Sequence, residues 1–477
     1  TVIVSFASTL GATLAFVAVR FVFREAVQKR FGARIRAVDE GIEREGNYYL
    51  FALRLVPAFP FFLVNIAMGL STLPVRTFYW VSQVGMLAGT IAYVNAGTRL
   101  AEVRSLSGIL SPPLLVSFAV LGFLPLIARR LVDSMRARRA LANWPRPRRF
   151  DRDLIVIGAG SAGLVAAYIA AAVKARVTLV EKRRMGGDCL NTGCVPSKAL
   201  IRSARFVAQA KRAREFGLAE VSVKFDFADV MARVQRVIET VAPHDSVERY
   251  ASLGVECIAG EAKITSPYSV EVNSASGKKT LTTRNIVIAA GARPFLPPIE
   301  GLDRIRCYTS ENLWSLRELP KRLVVLGGGP IGSELAQCFT RFGSEVTQVE
   351  TLSRLLPRED PDISERVAER FRAEGIRVLA GHMAKRVIVD NGTKFLVVER
   401  EGTETRIEFD ALLCAAGRIA NVSGYGLEEL GIPTTAARTV ATNDYLQTLY
   451  PNIYACGDVA GPYQFTHTAS YQAWYAA

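Results

Sequence analysis

The feature that most constrains the fold is a pattern that occurs twice in the chain. Each copy is a hydrophobic strand, a glycine turn, a helix and a second strand that ends in an acid, Glu181 or Glu350. In both copies the acid follows the last glycine by 18 residues. The turn glycines are Gly158, Gly160 and Gly163 in the first copy and Gly327, Gly329 and Gly332 in the second. Such a unit has parallel strands, so the sequence predicts two related α/β domains of the Rossmann-like kind.

The residue types at the turns indicate what these domains bind. Glycines allow a tight turn and let the backbone approach a pyrophosphate, which then lies at the N-terminus of the following helix. The terminal acid is placed to bond a ribose 2′-hydroxyl. Two complete copies therefore predict two different dinucleotides, one in each domain.

Two cysteines lie just after the first copy, within the segment 186–198. Cys189 and Cys194 have four residues between them, and helical signals resume at Ser197 and Lys198. Cys194 should therefore lie at a helix N-terminus, where the macrodipole lowers the pKa of a thiol and favours the thiolate, the species that exchanges electrons. We interpret the pair as a redox-active disulfide.

Two simpler interpretations of the pair are unlinked buried cysteines and half of a zinc site. Zinc is disfavoured because no second Cys/His pair follows at ligand spacing, and the histidines are scattered at positions 244, 382 and 467. We predict no metal site. The remaining cysteines occur singly in apolar stretches and are interpreted as small core residues: Cys257, Cys307, Cys338, Cys414 and Cys456.

The position of the cysteines indicates which dinucleotide each of the two domains binds. They follow the first copy directly, so its ligand should be the group that passes electrons to the disulfide, a flavin (FAD). The second copy should then hold NAD(P)H. Glu350 at the second ribose repels a 2′-phosphate and favours NADH, although Arg354 nearby could accommodate NADPH.

With these motifs, residues 151–477 resemble the class I pyridine nucleotide-disulfide oxidoreductases, which include dihydrolipoamide dehydrogenase, glutathione reductase and mercuric reductase. Three further segments carry the resemblance: 288–294 with Gly291, 412–418 with Gly417, and 453–458 with Asp458. Ala420 is a departure, since it stands where the family usually has proline. The segments 358–361 and 371–376 look most like the mercuric reductase branch.

The resemblance implies roles for four catalytic residues. Cys194 would be the thiol next to the flavin and form a charge-transfer thiolate, whereas Cys189 would be the interchange thiol that meets the acceptor. Lys198 and Glu334 match a pair near the flavin N5 atom. The alternative for this pair is two ordinary surface charges.

For the cofactors, the resemblance implies that Asp458 binds the ribityl chain and that His467 begins the helix that points at the flavin O2 atom, without a catalytic role. It also counts Gly187, Gly291, Gly417 and Lys198 among the cofactor-binding residues. The expected reaction is hydride transfer from NAD(P)H to FAD, then reduction of the disulfide, then reduction of a small-molecule acceptor such as a disulfide or Hg(II). A quinone or another oxidant stays open as the acceptor.

Both ends of the chain are expected to be cut, since Thr1 lies within an apolar run and Ala477 within a helix-like segment. Members of the resembled family carry a C-terminal dimerisation domain, which supplies a His-Glu acid/base pair to the partner subunit. We expect this domain to be absent here and the full-length protein to be a homodimer.

The first 128 residues differ in character from the rest. They contain long apolar runs at 2–23, 78–98 and 114–128, which we predict to cross a bilayer; buried helices of a soluble core are the alternative. The segment 48–70 holds Arg54, Pro57, Pro60 and Asn65, which a simple lipid-exposed helix would not tolerate. We predict a re-entrant hairpin there.

The distribution of arginines predicts the orientation. The loop 24–47 and the stretch 129–149 are both rich in arginine and should both be cytoplasmic, which places the redox domain in the cytoplasm. The net charge of +15 could suggest nucleic acid. However, the second stretch follows an apolar segment, where anionic lipid headgroups account for it, and no recognition motif accompanies the charge, so we predict no nucleic-acid partner.

Residues 1–130 resemble the bacterial SNARE-associated family, also called VTT or DedA-like, whose members share a proline-broken re-entrant segment with an intramembrane arginine. Its members are linked to lipid translocation, so Arg54 would be a functional charge facing a polar cavity; snorkelling is the alternative. A lipid-translocating protein with a regulatory redox domain is the alternative function. The predicted division is 1–128 membrane domain, 129–150 basic linker, 151–319 first part of the FAD domain, 320–417 NAD(P) domain and 418–477 return to the FAD domain.

Overall fold

The computed structural model of the 477-residue chain describes residues 1–22, 47–55, 60–71, 73–101, 112–219 and 221–477. They form two compact units, Thr1–Asn143 and Trp144–Ala477, and each unit is described by itself.

The described part of the first unit is helical. Its helices are α1 (Val2–Phe21), α2 (Asn47–Leu55), α3 (Phe61–Leu70), α4 (Val75–Ala101) and α5 (Pro112–Leu141). Phe16 and Phe78 stack at its centre with ring centroids 4.2 Å apart, and Leu50 and Met68 are fully buried around them. Within the described residues, two helical segments are long and apolar enough to cross a membrane, Val2–Phe21 and Leu115–Leu141.

The helices agree with the predicted apolar runs in position but differ in length. The run 78–98 lies inside α4, and the run 114–128 lies inside α5, which continues through the first arginines as far as Leu141. Helix continues there because the first proline after Pro125 is Pro145. The predicted re-entrant hairpin includes Pro57, which lies outside the described residues, so that hairpin stays a prediction.

Arg54 is buried within this unit. Its guanidinium donates hydrogen bonds to Ser82 Oγ at 3.1 Å and to Asn65 Oδ1 at 2.5 Å. It also lies 5.2 Å from the ring centroids of both Phe61 and Phe78. The side chain therefore points into the helix bundle, and the snorkelling interpretation is wrong for this structure.

The second unit is built from alternating strands and helices. Its helices are α6 (Ser161–Ala172), α7 (Gly187–Asn191), α8 (Cys194–Lys211), α9 (Phe227–Val241), α10 (Val247–Ser252), α11 (Pro330–Phe342), α12 (Pro361–Ala373) and α13 (Thr466–Ala476). Its strands are β1 (Arg152–Ile157), β2 (Val177–Glu181), β3 (Val255–Ser266), β4 (Ser269–Ser274), β5 (Gly277–Ile288), β6 (Ala292–Pro294), β7 (Cys307–Tyr308), β8 (Arg322–Leu326), β9 (Glu345–Glu350), β10 (Arg377–Ala380), β11 (Met383–Asp390), β12 (Thr393–Arg400), β13 (Thr403–Phe409), β14 (Ala411–Cys414), β15 (Arg418–Ala420) and β16 (Ile453–Ala455).

The first sheet has the parallel order β3-β2-β1-β5-β16, and the antiparallel strand β4 joins β3 to β5. Strand β1 is central and its last four residues, Leu154 to Ile157, are buried, as expected for a parallel strand covered on both faces. The helices α6 and α13 pack together over this sheet, where Ala166 and Ala473 are fully buried.

The second sheet has the parallel order β10-β9-β8-β14-β7, with the antiparallel strands β11-β12-β13 beside it. Its central strand β8 is followed by a glycine turn and by α11, just as β1 is followed by a glycine turn and by α6. The short pair β6–β15 leads between the two sheets. The predicted fold class, apolar helices followed by two related α/β halves, is confirmed.

Candidate functional site

The first glycine turn lies at the carboxyl end of β1 and needs glycine for three separate reasons. Gly158 has a φ of +100°, and a Cβ there would come 2.4 Å from the carbonyl oxygen of Ala289. A Cβ on Gly163 would come 1.7 Å from the carbonyl oxygen of Gly158, so strand and helix meet closely. Gly187 packs on the same turn, because a Cβ there would lie 2.5 Å from Gly160 Cα. The cysteine segment is thereby held against the first turn.

The second glycine turn, at the carboxyl end of β8, repeats this geometry. Gly327 has a φ of +112°, and a Cβ there would come 2.3 Å from the carbonyl oxygen of Ala415. A Cβ on Gly332 would come 2.3 Å from the carbonyl oxygen of Gly327. A Cβ on Gly329, in contrast, would meet nothing within 4 Å. The space beside the N-terminus of α11 is therefore open to a ligand that lies against the backbone.

The two acids occupy equivalent places in the two sheets. Glu181 Oε2 accepts a hydrogen bond from the Ala159 N–H at 2.7 Å, and Glu350 Oε2 accepts one from the Gly328 N–H at 2.6 Å. The second oxygen of each carboxylate accepts from the N–H two residues later, at 2.7 Å in both cases. Each acid is thus fixed beside its own glycine turn, the position from which the sequence pattern predicts ribose binding.

The cysteine segment folds as a short helix followed by a long one. The short helix α7 carries Cys189, and α8 begins at Cys194 with Gly193 as its N-cap residue. The predicted position of Cys194 at a helix N-terminus is confirmed. The two side chains are free thiols joined by a hydrogen bond, so the structure brings them together as the pattern predicted.

The two thiols have opposite pKa shifts. The hydrogen bond with Cys189 lowers the pKa of Cys194 to about 5, with further lowering by Thr466 and Lys198 and an opposing effect of burial. The same hydrogen bond, together with burial, raises the pKa of Cys189. At neutral pH the reduced pair therefore carries one proton, which Cys189 holds, while Cys194 is a thiolate.

Sequence reasoning missed one residue that contacts this pair. Thr466, the first residue of α13, places Oγ1 at 3.3 Å from Cys194 Sγ. The neighbouring His467 instead stacks its ring on Phe465, with centroids 5.4 Å apart. The sequence did predict the start of a helix near His467, which could have drawn attention to Thr466. No local pattern, however, relates that helix start to Cys194, which lies 272 residues earlier.

A second missed residue, Trp314, supports the segment between the cysteines. Its indole N–H donates to the carbonyl oxygen of Thr192 at 3.0 Å and to that of Ser310 at 2.7 Å. Inside the segment, the Asn191 side-chain amide donates to the carbonyl oxygens of Met185 and Gly187, each at 2.9 Å. These contacts fix the backbone between the two thiols.

Lys198 and Glu334 are brought together although they come from different copies of the repeat. Lys198 Nζ lies 2.7 and 2.6 Å from the two carboxylate oxygens of Glu334. Lys198 is one helical turn after Cys194 on α8, and Glu334 is on α11, so the pair joins the helices of the two sheets. Both side chains remain partly exposed, at 59% and 40%.

The other predicted cofactor residues lie around Arg418. Its guanidinium donates to the Asp188 carboxylate and to the carbonyl oxygen of Ala292 at 3.0 Å, and its Nε lies 3.4 Å from Asp458 Oδ2. Burial raises the pKa of Asp458. Asp458 and Gly187, the neighbour of Asp188, are thus brought to one place, whereas Gly291 and Gly417 flank the β6–β15 pair with open space at their Cβ positions.

Arg354, the residue that could have accommodated a 2′-phosphate, has other partners. Its guanidinium donates to the carbonyl oxygens of Pro357 and Glu359, at 3.0 and 3.3 Å. It therefore stabilises its own loop, and Glu350 has its two oxygens turned to backbone N–H groups beside the second turn.

The other cysteines follow the core interpretation with one exception. Cys338, Cys414 and Cys456 are buried, and Cys257 and Cys307 are half-buried. Cys307 on β7 and Cys414 on the adjacent strand β14 lie close enough to shift each other's pKa, and their thiols donate to the carbonyl oxygens of Tyr308 and Phe295. These two are therefore neighbours, which their isolated sequence positions did not indicate.

Comparison with known proteins agrees with this geometry. The pyridine nucleotide-disulphide oxidoreductase family model matches residues 152–473, and the VTT domain model matches residues 1–99. The mercuric reductase of Lysinibacillus sphaericus is 35% identical over 320 residues, which cover 67% of this chain and 58% of that protein. The dihydrolipoyl dehydrogenase of Acholeplasma laidlawii is 36% identical over 325 residues, which cover 67% of this chain and 93% of that protein.

A solved structure shares the fold. The HOCl-induced flavoprotein disulfide reductase RclA from Escherichia coli superposes with a TM-score of 0.59 at 30% identity, covering 68% of this chain and 69% of that one. The chain spans only a little over half the length of the mercuric reductases it matches. Because the family model covers most of the chain and includes both glycine turns and both cysteines, the chain belongs to the pyridine nucleotide-disulphide oxidoreductase family and carries a VTT domain ahead of that part.

Proposed function

We propose that the protein is a membrane-anchored, FAD-dependent NAD(P)H:disulfide oxidoreductase that passes electrons through the Cys189–Cys194 pair to a small-molecule acceptor. One observation carries the proposal. Cys194 at the start of α8 is hydrogen-bonded to Cys189 of α7, and Gly187 of the same segment packs against Gly160 of the first turn. A dinucleotide on that turn would therefore have a low-pKa thiolate beside it.

The residues present fit both cofactors. FAD would be held by the first turn, Glu181, Gly187, Gly291, Gly417, Asp458 and Lys198, and NAD(P)H by the second turn and Glu350. When bound, FAD accepts a hydride from the nicotinamide and passes the electron pair to a disulfide. The corresponding division is 151–319 and 418–477 for the FAD domain and 320–417 for the NAD(P) domain, after the membrane domain 1–128 and the linker 129–150.

The cysteines divide the second half of the reaction between them. Cys189 gives up its proton as it attacks one sulfur of an acceptor disulfide and forms a mixed disulfide, and the first product takes that proton and leaves as a thiol. The Cys194 thiolate then attacks Cys189 Sγ, which re-forms the internal disulfide and releases the second thiol. The pair thus supplies two electrons and the one proton that Cys189 held, and the second product takes its proton from water. With Hg(II) as acceptor, the same two sulfurs would be the soft ligands that bind the metal.

Lys198 and Glu334 act near this pair. Lys198 lies one turn from Cys194 and stabilises its negative charge, and Glu334 holds Lys198 in place. The pair would lie near the flavin N5 atom, between the two cofactors. Its position across α8 and α11 supports this role.

We propose NADH as the preferred reductant. The Glu350 carboxylate is fixed beside the second turn, where it would repel a 2′-phosphate, and the guanidinium of Arg354 is engaged by two carbonyl oxygens. The wild type should therefore have a higher kcat/KM for NADH than for NADPH. Glu350→Gln, which removes the charge, should lower the ratio of kcat/KM for NADH to kcat/KM for NADPH at least tenfold. Glu345→Gln, on the same strand, is the control. A wild type that prefers NADPH would contradict the proposal.

We propose that residues 1–128 are integral to a bacterial-type inner or plasma membrane, with 48–70 re-entrant and the redox domain in the cytoplasm. The apolar helices Val2–Phe21 and Leu115–Leu141 and the VTT match support membrane insertion. The arginines after position 128 support a cytoplasmic location of the redox domain.

A homodimer of the full-length protein is part of the proposal. Lipid translocation with a regulatory redox domain is not favoured, because the oxidoreductase match covers most of the chain.

The test separates the two thiols. The purified protein should be yellow, and anaerobic NADH should produce a long-wavelength charge-transfer band. Cys194→Ser should abolish the band, whereas Cys189→Ser should retain it, because only Cys194 is held as a thiolate beside the first turn. Cys257→Ser, at a half-buried thiol distant from the pair in sequence, is the control. A band that persists in Cys194→Ser would overturn the assignment.

A further inference from the structure

The start of the first sheet, opposite the glycine turn, carries a basic pocket that the redox chemistry does not use. It encloses about 370 Å³ and is lined by Arg146, Arg148, Arg149, Phe150, Arg176 and Arg284. We call it the arginine pocket. It combines the residues that lead into β1 with residues at the starts of β2 and of the parallel part of β5.

Two of these arginines belong to the folded sheet and share one carboxylate. Arg176 Nε lies 3.2 Å from Asp153 Oδ2, and Arg284 Nε lies 3.1 Å from Asp153 Oδ1. The hydrogen bonds from Arg176 lower the pKa of Asp153 to about 2, so this carboxyl is ionised. Both arginine side chains are still 55% exposed, which leaves donors free to face the pocket.

The other three arginines have no such partner. Arg146, Arg148 and Arg149 are exposed, and no carboxylate among the described residues lies within ion-pair distance of them. The guanidiniums of Arg146 and Arg284 lie 5.9 and 5.4 Å from the ring centroid of Phe150, which holds them at the pocket wall. Five arginines against two carboxylates, Asp153 and the nearby Asp151, make a concave, positive surface with room for phosphate groups.

The chain itself indicates which phosphates can reach this surface. The predicted membrane-crossing run ends at Ala128, and helix α5 continues for 13 more residues, about 20 Å at 1.5 Å per residue, to Leu141. Arg146 follows Leu141 by five residues, and five residues extend at most about 18 Å. This short connection keeps the pocket near the membrane surface. The local concentration of headgroup phosphate at the pocket is therefore far higher than that of soluble anions.

We propose that the arginine pocket binds the phosphates of anionic lipids and docks the oxidoreductase domain on the membrane by the start of its first sheet. Gly158, the first residue after β1, follows Asp153 by five residues, about 17 Å along the strand direction. Docking by this face therefore directs the first glycine turn and the cysteines towards water, from which the acceptor would arrive. The inference rests on the proposed membrane insertion and is independent of the redox activity.

The test uses the full chain with FAD in lipid nanodiscs, followed by hydrogen–deuterium exchange. The segments 145–153 and 278–285 should exchange more slowly in discs that contain phosphatidylglycerol than in discs of phosphatidylcholine alone. The triple variant Arg146→Gln, Arg148→Gln, Arg149→Gln should lose this difference. A control with the same charge change, Arg366→Gln, Arg377→Gln, Arg406→Gln, should keep it. Raised salt should also weaken the protection, as for any exposed charge contact.

Several results would overturn the proposal. One is equal exchange of both segments in the two lipids. Another is protection in phosphatidylcholine discs on addition of inorganic phosphate or a DNA duplex, which would indicate a soluble anion or nucleic acid as the ligand. Rapid exchange of Val2–Phe21 would refute membrane insertion and the docking with it. The redox proposal is judged separately, because NADH should reduce the flavin equally in the wild type and in both triple variants.

Discussion

At the scale of single residues, the chemistry depends on where one negative charge is placed. Cys194 is stabilised as a thiolate by Cys189, Thr466 and Lys198, and each of these contacts comes from a different element. Its pKa is lowered from the ordinary thiol value, so the thiolate persists as the pH falls until it is protonated near pH 5. The charge-transfer band of the reduced protein should therefore fade with a midpoint near pH 5.

Replacement of Thr466 tests the contact that sequence reasoning missed. Thr466→Val keeps the side-chain shape but removes the hydroxyl 3.3 Å from Cys194 Sγ, so the pKa of Cys194 should rise. The measurement is a pH titration of the charge-transfer band, whose midpoint should move upward by about half a unit to one unit, the equivalent of one hydrogen bond. Thr466→Ser should behave like the wild type. An unchanged midpoint in Thr466→Val would rule out this contact.

Replacement of Lys198 should affect the thiol more than the stability of the fold. The Lys198–Glu334 pair is largely exposed, and such pairs contribute about 0–1 kcal/mol to the free energy of unfolding. Lys198→Met should therefore leave Tm nearly unchanged yet raise the midpoint of the charge-transfer titration. The matched control is Lys263→Met, which breaks the exposed Lys263–Glu429 pair elsewhere. Equal midpoints in the two variants would mean that Lys198 does not act on Cys194.

The limits of sequence reasoning at this scale follow from distance along the chain. Cys189, Cys194 and the glycines are recognisable because their spacing within one segment is itself the signal. Thr466 and Trp314 reach the same site from other segments, and a threonine or tryptophan has many uses, so neither carries a signal of its own. The contact between Cys307 and Cys414 was missed for the same reason, since it depends on which strands are neighbours.

At the scale of elements, the two glycine turns are the parts that the pattern determines most fully. The order of apolar strand, glycine turn and helix predicts a single local fold, with the turn at the carboxyl end of the strand. Both copies adopt this fold, with matching hydrogen bonds to Glu181 and Glu350. The ends of the helices were harder to predict from the sequence. Helix α5 runs on to Leu141 because arginines favour helix and no proline intervenes, and its charge pattern alone had suggested a linker.

A pair of variants in the second turn should separate folding from binding. A Cβ at Gly332 would lie 2.3 Å from the carbonyl oxygen of Gly327, so Gly332→Ala must displace the turn and should lower Tm by several degrees. A Cβ at Gly329 meets nothing within 4 Å, so Gly329→Ala should keep the wild-type Tm while it raises KM for NADH at least tenfold. Flavin content should stay unchanged in Gly329→Ala. Wild-type NADH kinetics in that variant would contradict a pyrophosphate on this turn.

At the scale of the whole molecule, the chain joins an apolar helical unit to an α/β unit with its own cores. The apolar runs and the family motifs predicted this division, because composition over long stretches averages out local uncertainty. The path of 48–70, for which the re-entrant hairpin stays a prediction, depends instead on contacts that no composition encodes. Arg54 illustrates this, since its partners Asn65 and Ser82 lie on two other helices.

Membrane insertion has a direct biochemical consequence. If the helices Val2–Phe21 and Leu115–Leu141 span the bilayer, the flavin should stay with the membrane fraction in high salt and in alkaline carbonate and be released only by detergent. A chain from which residues 1–143 are deleted should be recovered outside the membrane pellet. Release of the intact chain by salt alone would refute integral insertion.

The central claim is that the cysteine pair takes electrons from the nicotinamide through the flavin, and counting electrons tests it most directly. In an anaerobic titration of the oxidised protein with NADH, followed by flavin absorbance, the wild type should consume one more equivalent of NADH per flavin than Cys189→Ser. The extra equivalent should appear as two thiols that alkylation and mass spectrometry assign to Cys189 and Cys194. Equal consumption by the wild type and Cys189→Ser would contradict the account.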